Sequence, residues 1–190
     1  MDIERIKKSL RNRNIVYYQS IASTQKKARE MIEQDVEDGT VIIADNQTNG
    51  IGTHGRSWYT ADSQNIIITL VLYPNCSIKK VDTLTIDIAE CITEAVESMY
   101  QIELDIEEPN DIMFNKKKLG GILTESITYK DNVKTLLIGI GLNINQISFP
   151  EEISEIATSL KKETNQDYDR EEIIINILNK IEKMYETKII

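Results

Sequence analysis

Residues 65–73 read NIIITLVLY, from Asn65 to Tyr73, and this run, broken by Thr69 and ended by Pro74, is the longest apolar stretch of the chain. It lacks the apolar–polar alternation of a half-exposed strand. It therefore predicts a central strand covered on both faces, and two-sided cover implies helices. The run is also far too short to span a bilayer.

Working outward, residues 81–100 carry Leu84, Ile88, Cys91, Ile92, Ala95 and Met99 on one stripe, the pattern of a helix packed on the sheet. Upstream, Ser23 or Thr24 can cap a helix running to about residue 34, with Ala28, Met31 and Ile32 at helical spacing. Gly39 then precedes a β-branched strand at residues 40–44. Downstream, Ile102, Leu104 and Ile106 alternate with Glu103, Asp105 and Glu107, a strand that Pro109 ends. Residues 111–114, a turn at Asn115 and Lys116, residues 119–128 and residues 133–140 read as an antiparallel meander. Asp169, with Glu172 three residues on, opens a C-terminal helix through Ile181. The sum is an α+β fold, a mixed, largely antiparallel sheet flanked by helices. With no internal repeat or linker, residues 1–190 read as one domain.

The chain has 190 residues, 41% of them hydrophobic, enough to bury a sizeable core without disulfides or metal staples. Its two cysteines, Cys76 and Cys91, lie in unrelated segments, which points to a reducing, cytoplasmic setting. A charged N-terminus without an apolar core segment gives no sign of export or of a membrane partner. The net charge of −9 speaks against nucleic acid held by bulk electrostatics. Lys116, Lys117 and Lys118 form the one basic run of note.

Chemistry concentrates in residues 46–59, NQTNGIGTHGRSWY. Gly50, Gly52 and Gly55 lack a Cβ and can turn successive N–H groups onto an anion, to which Arg56 adds a charge-assisted donor. The same residues also suit an ordinary glycine-rich hairpin turn.

Four segments in this order resemble the catalytic domain of biotin protein ligases: SIASTQ at residues 20–25, the glycine loop, EPNDIMFNKKKLGGILTE at residues 108–125, and IGIGLNIN at residues 138–145. The resemblance runs from about Ile15 to about Met184. It implies a fold related to class II aminoacyl-tRNA synthetases. It also implies a ligase that uses ATP and Mg²⁺ to convert biotin to biotinyl-5′-AMP. The biotinyl group then passes to a lysine of a biotin carboxyl carrier domain. Such chemistry calls for cations and N–H groups that align two mutually repelling anions.

Residue by residue, the resemblance implies biotin contacts from Ser23, Thr24, Gln25 and Gln47, from the loop residues Gly50, Ile51, Gly52 and Thr53, and from Lys118 and Gly121. Hydroxyl and amide side chains suit the ureido head, although Ser23 and Thr24 also suit a plain helix cap. Nucleotide contacts fall to Gly55, Arg56, Trp58, Asn110, Asp111, Gly141 and Asn143, with Gly139 in the same strand end. Lys118 and Arg56 are the catalytic candidates and Asp111 the Mg²⁺ carboxylate, one such ligand being sufficient.

Departures matter too. Ile51 and Thr53 stand where the family's loop carries its first two arginines, and the second of these helps retain the adenylate. Glu107 and Glu108 replace a Lys-Trp pair; Glu107 either reverses the charge beside the phosphates or continues its strand's polar face, pointing away. Residues 157–160 offer no tryptophan for adenine. The chain is expected to lack both an N-terminal DNA-binding domain and a C-terminal small barrel. A lipoate- or octanoate-type ligase and a non-catalytic biotin or nucleotide sensor are the alternatives. A homodimer through an exposed sheet edge fits such a domain.

Overall fold

In the computed structural model, residues 1–61 and 63–190 are described. Helix α1 (Ile3–Ser9) leads into strand β1 (Ile15–Ile21), helix α2 (Thr24–Ile32) and strand β2 (Val41–Gln47). Two short strands, β3 (Gly50–Ile51) and β4 (Ser57–Trp58), pair as a separate hairpin. Strands β5 (Ile66–Leu72) and β6 (Cys76–Ser77) precede the long helix α3 (Leu84–Tyr100). Then come β7 (Asp105–Glu107), β8 (Asp111–Phe114), β9 (Lys117–Tyr129) and β10 (Asn132–Leu142), followed by helices α4 (Leu160–Thr164) and α5 (Arg170–Lys188).

The main sheet runs β1-β2-β5-β10-β9-β8-β7, with β6 joined to β10. Only β1 and β2 pair in parallel; the other ladders are antiparallel. As the apolar run predicts, β5 lies inside the sheet, and all seven of its residues are buried. Its faces part by parity. Ile66, Ile68, Leu70 and Leu72 join Leu136, Ile138, Ile140 and Leu142 of β10 in the main core, which includes residues of α1, α3 and α5. Burying each such side chain contributes roughly 1.5–3 kcal/mol. On the opposite face, Ile42, Val71 and Leu137 pack with Ala28 of α2.

The expected elements are present with shifted limits. The helix expected from residue 81 starts at Leu84, because Ile78–Val81 form a 3₁₀ turn. The strand expected over 102–107 pairs only at Asp105–Glu107, while Ile102 and Leu104 turn onto the core. Asp169 caps α5 by accepting from the Glu172 amide at 2.9 Å. Helix α1 and strand β1 were not foreseen. β1 is an edge strand, half-buried along most of its length, so its sequence lacks both a continuous apolar run and clean alternation. No helix among the described residues is long and apolar enough to cross a membrane.

Candidate active site

A cavity of about 230 Å³ opens on the α2 face of the sheet. Register explains its floor. Thr69, Gly139 and Leu123 lie in one row across β5, β10 and β9, and Ile67, Gly141, Gly121 and Asp111 in the next, two residues further along. A Cβ on Gly141 would come within 2.6 Å of the Trp58 indole, and one on Gly121 within 3.4 Å. The missing side chains are therefore the space that Trp58 fills. Its Nε1 is buried without a partner among the described residues.

The inner wall is polar. Gln47 Oε1 accepts from the Thr24 amide at 2.8 Å and from Thr24 Oγ1 at 3.1 Å. Both bonds fix the carboxamide's orientation, leaving Nε2 as the free donor. Gln25, also lining the cavity, takes a 3.2 Å hydrogen bond from Thr69 Oγ1. Ser23, by contrast, is buried beneath the wall as the cap of α2, accepting from the Lys26 amide, and does not line the cavity.

The glycine loop is both a hairpin turn and a wall. β3 and β4 pair through Gly50 with Trp58 and Ile51 with Ser57, and the Gly52 amide donates to the Arg56 carbonyl at 2.7 Å. Ile51, Gly52, Thr53 and Arg56 reach the cavity. Gly50 lies behind it, under the Trp58 carbonyl, while His54 and Gly55 form the exposed tip with positive φ. The Arg56 guanidinium bends back to donate to Thr53 Oγ1 at 3.0 Å.

Of the three lysines, only Lys118 reaches the cavity. The reason is a β-bulge: Ile112 faces Gly120 but Met113 faces Lys118, so Leu119 is the extra residue. Leu119 enters the core, and Lys118 shares a face with Gly121 although they are three positions apart. Without the bulge the pleat would place them on opposite faces. The Lys118 ammonium pairs with the Asp111 carboxylate at 2.7 Å, and Asn110 Nδ2 donates to Asp111 Oδ1 at 2.8 Å. Lys116, with φ of 64°, belongs to the exposed turn.

The far wall comes from the segment 147–158. The Lys118 amide donates to the Ile156 carbonyl at 2.7 Å and its carbonyl accepts from the Thr158 amide at 2.9 Å, a parallel bridge onto β9. Asn143 Nδ2 donates to the Thr158 carbonyl at 3.0 Å, so that residue anchors the segment. Phe149, Ile153 and Ile156 line the cavity, and Lys162 lies 5.1 Å over the Phe149 ring. The sequence reading sought an aromatic at 157–160 and missed Phe149, which only the path of this loop brings in. It also missed Thr69, whose signal was a hydroxyl inside an aliphatic strand.

Glu107 lies directly across the ladder from Asp111, so the two share one face of the sheet. The reading that turned Glu107 away from the site does not hold. It is exposed on the cavity side, at the sheet edge. Among the described residues no group of three or more His, Cys, Asp or Glu could hold a metal. Asp111 with Asn110 fits an ion that keeps most of its waters and needs one or two carboxylates.

Fold and site together define an α+β domain whose cavity is lined by Lys118, ion-paired with an Asp111 that does not itself line it. The chain belongs to the biotin/lipoate A/B protein ligase family, whose model matches residues 17–145. It is 38% identical over 182 residues to the bifunctional ligase/repressor BirA of Bacillus spizizenii, covering 95% of this chain and 56% of that protein. It is 32% identical over 149 residues to the biotin--[acetyl-CoA-carboxylase] ligase of Mycobacterium tuberculosis, covering 76% of this chain and 53% of that one. The chain thus spans about half the length of these curated relatives. The Aquifex aeolicus biotin protein ligase, solved with biotin and ATP, superposes with a TM-score of 0.78 at 32% identity, covering 92% of this chain and 72% of that one.

Proposed function

We propose that residues 1–190 act as one catalytic unit, a biotin protein ligase. It forms biotinyl-5′-AMP from biotin and ATP and passes the biotinyl group to a lysine of a carboxylase's biotin carboxyl carrier domain. One observation carries the reading: a single cavity holds a hydroxyl–carboxamide wall at Thr24, Gln25 and Gln47 together with Lys118. The wall suits the ureido head. The ammonium suits the carboxylate that attacks the α-phosphorus as pyrophosphate leaves. In the second step a carrier amine attacks the acyl carbon and AMP departs.

Lys118 aligns the two anions, and Arg56 covers the mouth as a second cation. Trp58 and Phe149 supply flat apolar walls for the nucleotide. Mg²⁺ would be held by Asp111 and would screen phosphate charge. A lipoate-type activity is the weaker reading, because a lipoyl ring offers the wall's amide donors nothing to pair with. The relatives named as biotin ligases support the same choice.

Among the described residues, the outer edge of β9 beyond Gly121 has no strand partner and exposes Ile127 and Tyr129, which suits a side-by-side homodimer. Nucleic acid and membrane are not among the proposed partners. Two buried free cysteines fit a cytoplasmic location.

The test is direct: incubate the protein with biotin, ATP, Mg²⁺ and an acceptor carrier domain, and follow pyrophosphate and biotinylated lysine. Failure to form either adenylate or product refutes the ligase reading, and biotin affinity without pyrophosphate favours a sensor.

A further inference from the structure

Strand β5 is aliphatic at six of its seven positions, and the exception, Thr69, is fully buried at its centre. A hydroxyl in such a place is costly unless bonded. Thr69 Oγ1 lies 2.9 Å from Thr24 Oγ1 and 3.2 Å from Gln25 Oε1 and shares its one proton between them. Thr24 gives its own proton to Gln47 Oε1. One hydroxyl chain therefore underlies all three polar residues of the inner wall.

Gln25 is 3% exposed; its oxygen is held by Thr69, and its Nε2 is buried with no partner among the described residues. Directly across the ladder from Thr69, Gly139 leaves room for that carboxamide, since a Cβ there would come within 2.7 Å of Gln25 Oε1. Three elements thus converge on one amide whose nitrogen is left unpaired. An unpaired buried donor is costly, and a ligand's acceptor would recover that cost.

The geometry points to Thr69 as a positioning residue that, by holding the Gln25 oxygen, keeps the Gln25 nitrogen turned to the ligand, so that the wall reads a carbonyl-type acceptor with two carboxamide donors, Gln25 Nε2 and Gln47 Nε2. This rests on the biotin reading, in which the acceptor is the ureido oxygen. Without the Thr69 hydroxyl, the Gln25 carboxamide can turn over and offer oxygen instead of nitrogen. Thr69 therefore sets selectivity for an acceptor as well as affinity.

The experiment compares biotin with 2-iminobiotin, whose exocyclic ureido oxygen is replaced by an imino nitrogen protonated at neutral pH, using calorimetry on the full chain. Wild type should prefer biotin. Thr69→Val, which keeps the shape and strand preference of the residue, should weaken biotin binding about tenfold and narrow the biotin-to-iminobiotin ratio by a similar factor, the effect of one lost hydrogen bond. Thr69→Ser should restore both values. Gln25→Met should narrow the ratio alike, and adding Thr69→Val to it should change nothing further; should Thr69→Val not fold, Gln25→Met alone decides.

A ratio unchanged in Thr69→Val or Gln25→Met, whether binding is intact or equally weakened for both ligands, overturns the role given to Thr69. Wild type that binds neither ligand instead removes the biotin reading and the inference with it.

Discussion

The Lys118 ammonium, at the cavity wall, and the Asp111 carboxylate on the adjacent strand stand 2.7 Å apart, each less than a third exposed. A bound carboxylate and phosphate would compete with Asp111 for the ammonium, and Lys118 can answer them only from this bulge. Lys118→Ala should reduce adenylate formation at least about a hundredfold, on the scale of losing one preorganised charge donor. Lys116→Ala, in the exposed turn, should change it less than about twofold. Pyrophosphate release by both variants decides the matter, and equal losses would contradict the assignment.

Glu107 shares the face of Asp111 and so adds negative charge beside the proposed phosphate position. Glu107→Gln should lower the KM for ATP, modestly because the residue is exposed and screened, about two- to threefold at low salt and less at high salt. A KM that is unmoved at low ionic strength would mean that the phosphates lie elsewhere.

Trp58, the chain's only tryptophan, lies over Gly141, where a Cβ would come within 2.6 Å of the ring. Gly141→Ala should displace the indole at a cost of about 1–3 kcal/mol and abolish most ATP binding while the fold persists. Intrinsic fluorescence reports the indole directly, and circular dichroism checks the fold. An unchanged emission spectrum with full ATP affinity would show the contact to be dispensable.

Thr53 stands where the family's loop carries an arginine, and its hydroxyl holds the Arg56 guanidinium. We expect wild type to release adenylate and label lysines of an unrelated protein, and Thr53→Arg to reduce that labelling severalfold. Thr53→Val, which frees Arg56 without adding charge, should increase it. If all three label equally, retention does not depend on this loop position.

Asp45 ties the sheet to α5: Arg170 Nη1 lies 3.1 Å from it and the Tyr17 hydroxyl donates to it at 2.6 Å. Burial alone would push the Asp45 carboxyl up, but the Tyr17 hydrogen bond and the Arg170 charge outweigh it and hold it below the usual carboxylate range. A depressed carboxyl stabilises the fold above its unfolded-state value and loses that contribution as pH falls through the folded one. The thermal midpoint should therefore be flat above about pH 5 and fall below about pH 4. Asp45→Asn should lower the plateau and flatten the acid limb. The same hydrogen bond raises the Tyr17 hydroxyl to about 12. An acid limb in Asp45→Asn as steep as in wild type would assign the effect to other carboxyls, such as Asp169.

Local order in the chain determined much of this protein. The aliphatic run of β5, the apolar stripe of α3 and the Asp169 cap each follow from covalent spacing, because periodicity and capping need only neighbours within a few residues. The segments bearing Lys118, Asp111, Gln47 and Trp58 were legible as site segments only through their resemblance to biotin protein ligases. Tertiary structure decided what long-range register controls. The bulge at Leu119 selected Lys118 over Lys116 and Lys117, and pairing with Asp111 put Glu107 on the cavity side. The loop path brought Phe149 to the wall, while its place as the cap of α2 left Ser23 beneath it. Thr69 gained its partners only when α2 folded across β5. No spacing rule encodes such meetings, since residues more than forty positions apart meet only after the core has chosen which side of each strand is buried.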